Sequence, residues 1–116
     1  MSAGGRMRRV DEAVREVIAE AVTGIADPRL GFVTFTEVST SPDLRHAKVF
    51  VSVLGTDEER ANSIAALSSA AGLLQGRINA ELRLKRTPTL EFVLDETADT
   101  AARLEGLLSS EVDGDD

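Results

Sequence analysis

Cysteine, tyrosine and tryptophan are absent from this chain, and histidine occurs once, at His46. The first absence excludes disulfides and thiolate metal sites, and a single imidazole excludes a multi-histidine centre. No cofactor and no metal are therefore expected. Aromatic rings are confined to Phe32, Phe35, Phe50 and Phe92, too few for a sheet that stacks one unpaired base after another. Any nucleic-acid partner would have to be held mainly by backbone charge and shape. The opening "MSAGGRMRRV" has no long apolar run, so neither a signal peptide nor a membrane span is read there. A soluble cytoplasmic protein of one ordinary-sized domain is the expectation for 116 residues.

What the chain has in excess is acid, with a formal net charge of −7. Spread evenly, that charge would argue against a polyanionic partner. It is spread unevenly. Glu111, Asp113, Asp115 and Asp116 crowd the end, with no base after Arg103, and residues 110–116 read as a disordered acidic tail. Arg6, Arg8 and Arg9 stand at the other end, where residues 1–6 read as a flexible N-terminus. Between them, "AAGLLQGRINAELRLKRTP" carries Arg77, Arg83, Lys85 and Arg86 against the single acid Glu81. Such asymmetry is a better guide to partners than the sum.

Periodicity places the elements. In residues 10–25 the apolar positions Val10, Ala13, Val14, Val17, Ile18, Ala21, Val22 and Ile25 follow helical spacing, and Gly24 with "DPR" supplies the stop. "GFVTFTEVST" reads as a strand in which Val33 and Phe35 share a face but Val38 does not, so a bulge or strong twist is expected near Thr36 and Glu37. "SPDLR" makes a turn into "AKVFVSVL", where Ala47, Val49, Val51 and Val53 alternate with Lys48, Phe50 and Ser52. The two strands should form an antiparallel hairpin. Thr56 or Asp57 can cap a second helix, with Ala61, Ile64, Ala65, Leu67 and Ser68 on its buried side. Leu74, Ile78 and Leu82 continue helical spacing until Pro88, and "TLEFVLDE" alternates as a third strand. "TADTAARLEGLL" closes the series as a short amphipathic segment with Ala101, Leu104, Leu107 and Leu108 on one side. Two helical pieces thus bridge the second and third strands, and a right-handed crossover puts the helices on one face of a three-stranded sheet. The class is α+β.

That element order, with a broken helix pair in the crossover, resembles the type II KH domain. "RMRRVDEAVREVI", "DPRLGFVTFTEVSTSPDLRHAKVFVSVLG" and "AAGLLQGRINAELRLKRTPTLEFVLDET" are similar, in order and spacing, to successive blocks of the ribosome-binding factor A family, bacterial small-subunit assembly factors. The likeness covers roughly residues 6–108, so one KH-like RNA-binding domain is expected over residues 7–109. General KH domains keep a Gly-x-x-Gly loop between the two helices. Here that spacing is missing, and Ala70, Ala71 and Gly72 match the Ala-x-Gly kink that replaces the loop in the narrower family. Gly72 would permit a bend by its freedom of backbone angle, whereas Gly76 is assigned to close packing.

The resemblance implies a non-enzymatic factor that binds the free small (30S) ribosomal subunit through its rRNA and assists late maturation and 5′-end processing of 16S rRNA. It further implies a monomer, no membrane, and room for a release factor such as an assembly GTPase. The residues assigned to phosphate contact are Arg77, Arg83, Lys85 and Arg86, with Arg8 and Arg9, and more weakly Asn79. For each of them a surface role is the alternative. Asp27, Asp43 and Asp95 read as turn or helix caps. Ser41, Asp43 and His46 suggest a hydrolase only superficially, because no nucleophile elbow or oxyanion-hole glycine accompanies them. The competing functional class is a small protein–protein or dimerisation module using the open sheet face at Lys48, Phe50 and Ser52.

Overall fold

A computed structural model of the chain describes residues 3–96. The regular apolar spacing of the first segment yields a helix, α1 (Ala3–Ala21), that continues as a single 3-10 turn to Gly24. It starts well before the apolar pattern does, so Arg6, Arg8 and Arg9 ride on its first turns. Strands β1 (Phe32–Thr40) and β2 (His46–Leu54) pair antiparallel, and β3 (Thr89–Leu94) adds to β2 in parallel. The sheet order is β1-β2-β3, with β2 in the centre.

The expected bulge lies in β1. Pairing passes from Phe35 opposite Val51 to Glu37 opposite Phe50, leaving Thr36 as the extra residue. One extra residue reverses the strand's inside–outside alternation. Phe35 and Val38 are therefore both buried although their spacing is odd.

Helices α2 (Asp57–Ser69) and α3 (Ala71–Leu82) form the crossover from β2 to β3. Thr56 caps α2 by accepting from the Glu59 N–H at 3.1 Å, and the Glu59 carboxylate accepts from the Thr56 N–H at 2.9 Å. This reciprocal box satisfies two helix-end donors. All three helices lie on one side of the sheet. Val14 and Ile18 of α1, Leu67 of α2, and Leu74 and Ile78 of α3 are wholly buried with Val49 and Val51 of β2. Ser63, also wholly buried, accepts a hydrogen bond from the Gly31 N–H at 2.9 Å and ties α2 to the entry of β1.

The helix pair breaks at Ala70, whose φ of −91° and ψ of 2° open the helical turn. Its N–H still bonds to the Ala66 and Leu67 carbonyls, and its carbonyl accepts from Leu74 N–H at 3.0 Å. The bend is thus one residue wide. This changes the account of the glycines. The hinge conformation at Ala70 is open to any residue, while Gly72 lies inside α3. A Cβ at Gly72 or Gly76 would meet nothing within 4 Å, so Gly76 is not there for close packing. The amphipathic segment read at 101–108, and the tail at 110–116, lie outside the described residues.

Candidate nucleic-acid interface

Strand topology gathers basic residues from three parts of the chain at one end of the molecule. The parallel register sets His46 opposite Thr89, and the Thr89 N–H donates to the Arg45 carbonyl at 2.9 Å. The loop carrying Arg83, Lys85 and Arg86 therefore meets the turn between β1 and β2. A shallow cleft of about 430 Å³ lies between them, lined by Leu44, Arg45, His46, Arg86, Thr87 and Thr89. The Asp11 carboxylate of α1 accepts from the Thr40 N–H at 2.8 Å, at the same end of β1. That contact places the first turns of α1, with Arg8 and Arg9, near the same pole.

The individual side chains divide into two groups. Arg83, Lys85 and Arg86 are exposed, and among the described residues none of them is in an ion pair with a carboxylate. As Arg45 has the Asp43 carboxylate at 3.5 Å, Arg77 has a carboxylate beside it: its guanidinium holds Glu81 at 2.8 Å, one turn along α3. Such an i,i+4 pair is an ordinary helix-surface contact, and it leaves Arg77 a partly neutralised group. Asn79 accepts a hydrogen bond from the Thr87 hydroxyl at 3.1 Å, bracing the loop that presents Lys85 and Arg86. Pro88, wholly buried, and Gln75, whose Oε1 accepts from the Leu90 N–H at 3.3 Å, anchor the same loop.

Arg83 has a special backbone. It caps α3 with φ 50° and ψ 44°, in the left-handed region where glycine is the usual occupant. For a non-glycine residue this conformation costs about 1 kcal/mol or somewhat more.

The turn opposite is cross-braced by hydrogen bonds. Asp43 accepts from the Ser41 hydroxyl at 2.7 Å and from the Arg45 N–H at 3.0 Å, and the Ser41 oxygen accepts from the His46 N–H at 3.1 Å. The Ser41 hydrogen bond, followed by that of the Arg45 N–H, holds the Asp43 carboxyl below its usual range. Ser41, Asp43 and His46 thus fold a turn. Arg45 and His46 are the basic residues at this pole that sequence reasoning passed over, because only strand pairing brings them beside Arg86. Their sole linear signal is adjacency in "DLRHAK".

The opposite end of the molecule is acidic. Asp57, Glu58 and Glu59 open α2 just after β2 ends, and Asp95 and Glu96 follow β3. Among the described residues no group of three metal-ligating side chains exists, and no helix is long and apolar enough to cross a membrane.

A family model described as ribosome-binding factor A matches residues 6–108. A relative from Clavibacter michiganensis, bearing the same description, is 45% identical over 104 residues, covering 89% of this chain and 63% of its own. The chain therefore spans less than two thirds of that relative. A solution structure of a protein from Thermotoga maritima, a putative ribosome binding factor A, superposes with a TM-score of 0.70 and 38% identity, over 76% of this chain and 85% of that one. A Thermus thermophilus ribosome binding factor A, represented by a homology model fitted into a cryo-EM map of its complex with the 30S subunit, gives a TM-score of 0.62 and 28% identity. That match covers 73% of this chain and 90% of the other.

Proposed function

This chain belongs to the ribosome-binding factor A family, and from that premise we propose that its basic pole binds the RNA of the free small ribosomal subunit. Arg83, Lys85 and Arg86 supply the main phosphate contacts, Arg45 and His46 complete the surface across the cleft, and Arg8 and Arg9 extend it along α1. The observation that carries this reading is the convergence of separate basic segments at one end of an acidic molecule. Phosphate contacts position a protein on RNA without reading sequence, which suits a chain with four phenylalanines as its only aromatic rings. Arg77 and Asn79 serve this surface indirectly, by stabilising α3 and its following loop.

The protein acts without catalysis of its own, in the cytoplasm and as a monomer. It occupies an immature subunit, assists late maturation and 5′-end processing of 16S rRNA, and is displaced by a release factor such as an assembly GTPase. Reversal of Arg83, Lys85 and Arg86 to glutamate tests the assignment by co-sedimentation with free small subunits. Each lost charge contact is worth about 1 kcal/mol or more, so affinity should fall roughly 100-fold with the circular dichroism spectrum unchanged. Undiminished binding by the folded triple variant would remove the basic pole from the interface.

A further inference from the structure

Backbone strain is concentrated in the two loops that wall the cleft at the basic pole. Among the described residues, Leu44 and Arg83 are the only non-glycine residues with a positive φ, at 61° and 50°. Leu44 lies in the β1–β2 turn and Arg83 opens the loop between α3 and β3, so one stands in each wall. A bulky side chain in left-handed backbone is an outlier, and such strain gathers where a site is held ready for a ligand. Hydrogen bonds keep the turn in this conformation: the Leu44 N–H donates to the Ser41 carbonyl at 2.8 Å, and the Ser41 N–H to the His46 carbonyl at 2.8 Å.

The groups lining the cleft are not those of a bare phosphate site. Arg45 and Arg86 bring charge, but the half-buried Leu44 is apolar, His46 is a ring, and Thr87 and Thr89 are neutral hydroxyls. His46 and Thr89 are partners in the parallel register and both are exposed, which sets them side by side on the sheet face away from the helices. The bonds that hold the turn use the backbone N–H and carbonyl of His46 and leave its imidazole to the cleft. Phe35 and Phe92 are buried, and Phe32 stands beside Leu54 at the far end of the sheet, so His46 is the ring this pole offers. The Thr87 hydroxyl donates to Asn79 and keeps its lone pairs to accept. The volume of about 430 Å³ falls within the range of about 300–1,000 Å³ typical of small-molecule sites.

We propose that this cleft receives a single unpaired nucleotide of the RNA. Its base stacks on the His46 ring against Leu44, its phosphate meets Arg45 and Arg86, and its sugar hydroxyls face Thr87 and Thr89. This inference rests on the assignment of the basic pole to RNA and adds what that pole takes hold of: a base left out of a duplex. Histidine rings and guanidinium planes are both surfaces on which unstacked bases settle. Paired RNA held by charge alone would leave Leu44 and the two hydroxyls unused. Asp43 lies 3.5 Å from the Arg45 guanidinium, which leaves Arg86 the stronger phosphate group. The cleft is also apart from the break at Ala70. Ser69, beside that break, accepts from Arg29 at 3.2 Å, in the loop that leads into Phe32 at the other end of the sheet.

The test compares two RNA hairpins at one salt concentration by fluorescence anisotropy, one fully paired and one carrying a single bulged adenosine. The unaltered chain should bind the bulged hairpin about 10-fold more tightly, the effect of one stacked base. His46→Ala, folded by circular dichroism, should abolish that preference, and His46→Phe, which keeps a ring without a charge, should retain it. No binding of the bulged hairpin, equal affinity for the two hairpins, or a preference that survives His46→Ala would each overturn the proposal. Displacement of the bulged hairpin by an equimolar amount of adenosine monophosphate would also overturn it, by giving the cleft to a free nucleotide. The two readings fail separately, since the basic pole falls only if the triple glutamate variant binds as tightly as the unaltered chain.

Discussion

Arg83 sets local stability against surface charge. Its left-handed backbone would suit glycine, yet the position carries an exposed guanidinium. Strain retained at a functional position is a recognised pattern. Arg83→Gly should therefore raise unfolding free energy by up to about 1 kcal/mol while weakening attachment to the small subunit. Urea unfolding and co-sedimentation of the same variant measure the two effects separately; destabilisation would show that the Arg83 side chain supports the fold instead. Residues of one type also proved unequal. Arg77 and Arg83 look alike in sequence, but Arg77 is tied to Glu81 and Arg83 is not. Helical spacing made the Arg77–Glu81 pair predictable from "GRINAEL". The left-handed state of Arg83 was not legible, because neither glycine nor asparagine marks it.

Among the elements, the strands and helices followed from periodicity, down to the bulge announced by the odd spacing of Phe35 and Val38. The capping box at Thr56 and Glu59 was half legible, as a cap without its reciprocal partner. The start of α1 was not, since "AGGRMRR" has no apolar period and two glycines that disfavour helix. The break between α2 and α3 falls at Ala70, and Gly72 lies within α3. The backbone angles at Ala70 are open to any residue, and Gly76 sits in open helix surface. Gly76→Ala should accordingly stabilise the protein by about 1 kcal/mol, read from the midpoint of urea unfolding. A loss of stability would mean that α3 needs its glycine for packing after all.

At the scale of the whole molecule, the formal charge of −7 conceals a separation that only topology produces. Parallel pairing of β2 with β3 brings the end of α3 beside the β1–β2 turn, and antiparallel pairing of β1 brings the start of α1 to the same end. Carboxylates at the start of α2 and after β3 fall at the other end. Composition could show that the charge was uneven along the chain. It could not show that Arg45 and His46 join Arg86, since those residues are distant in sequence and meet through a strand register. The most direct measurement of the account is the salt dependence of binding to isolated small subunits. With Arg8, Arg9, Arg45, Arg83, Lys85 and Arg86 on phosphates, the logarithm of affinity should fall against the logarithm of salt concentration with a slope of about −4 to −5. In the triple glutamate variant the slope should flatten to about −2 to −3. A flat response in the unaltered chain, or the same slope in both proteins, would contradict the central claim.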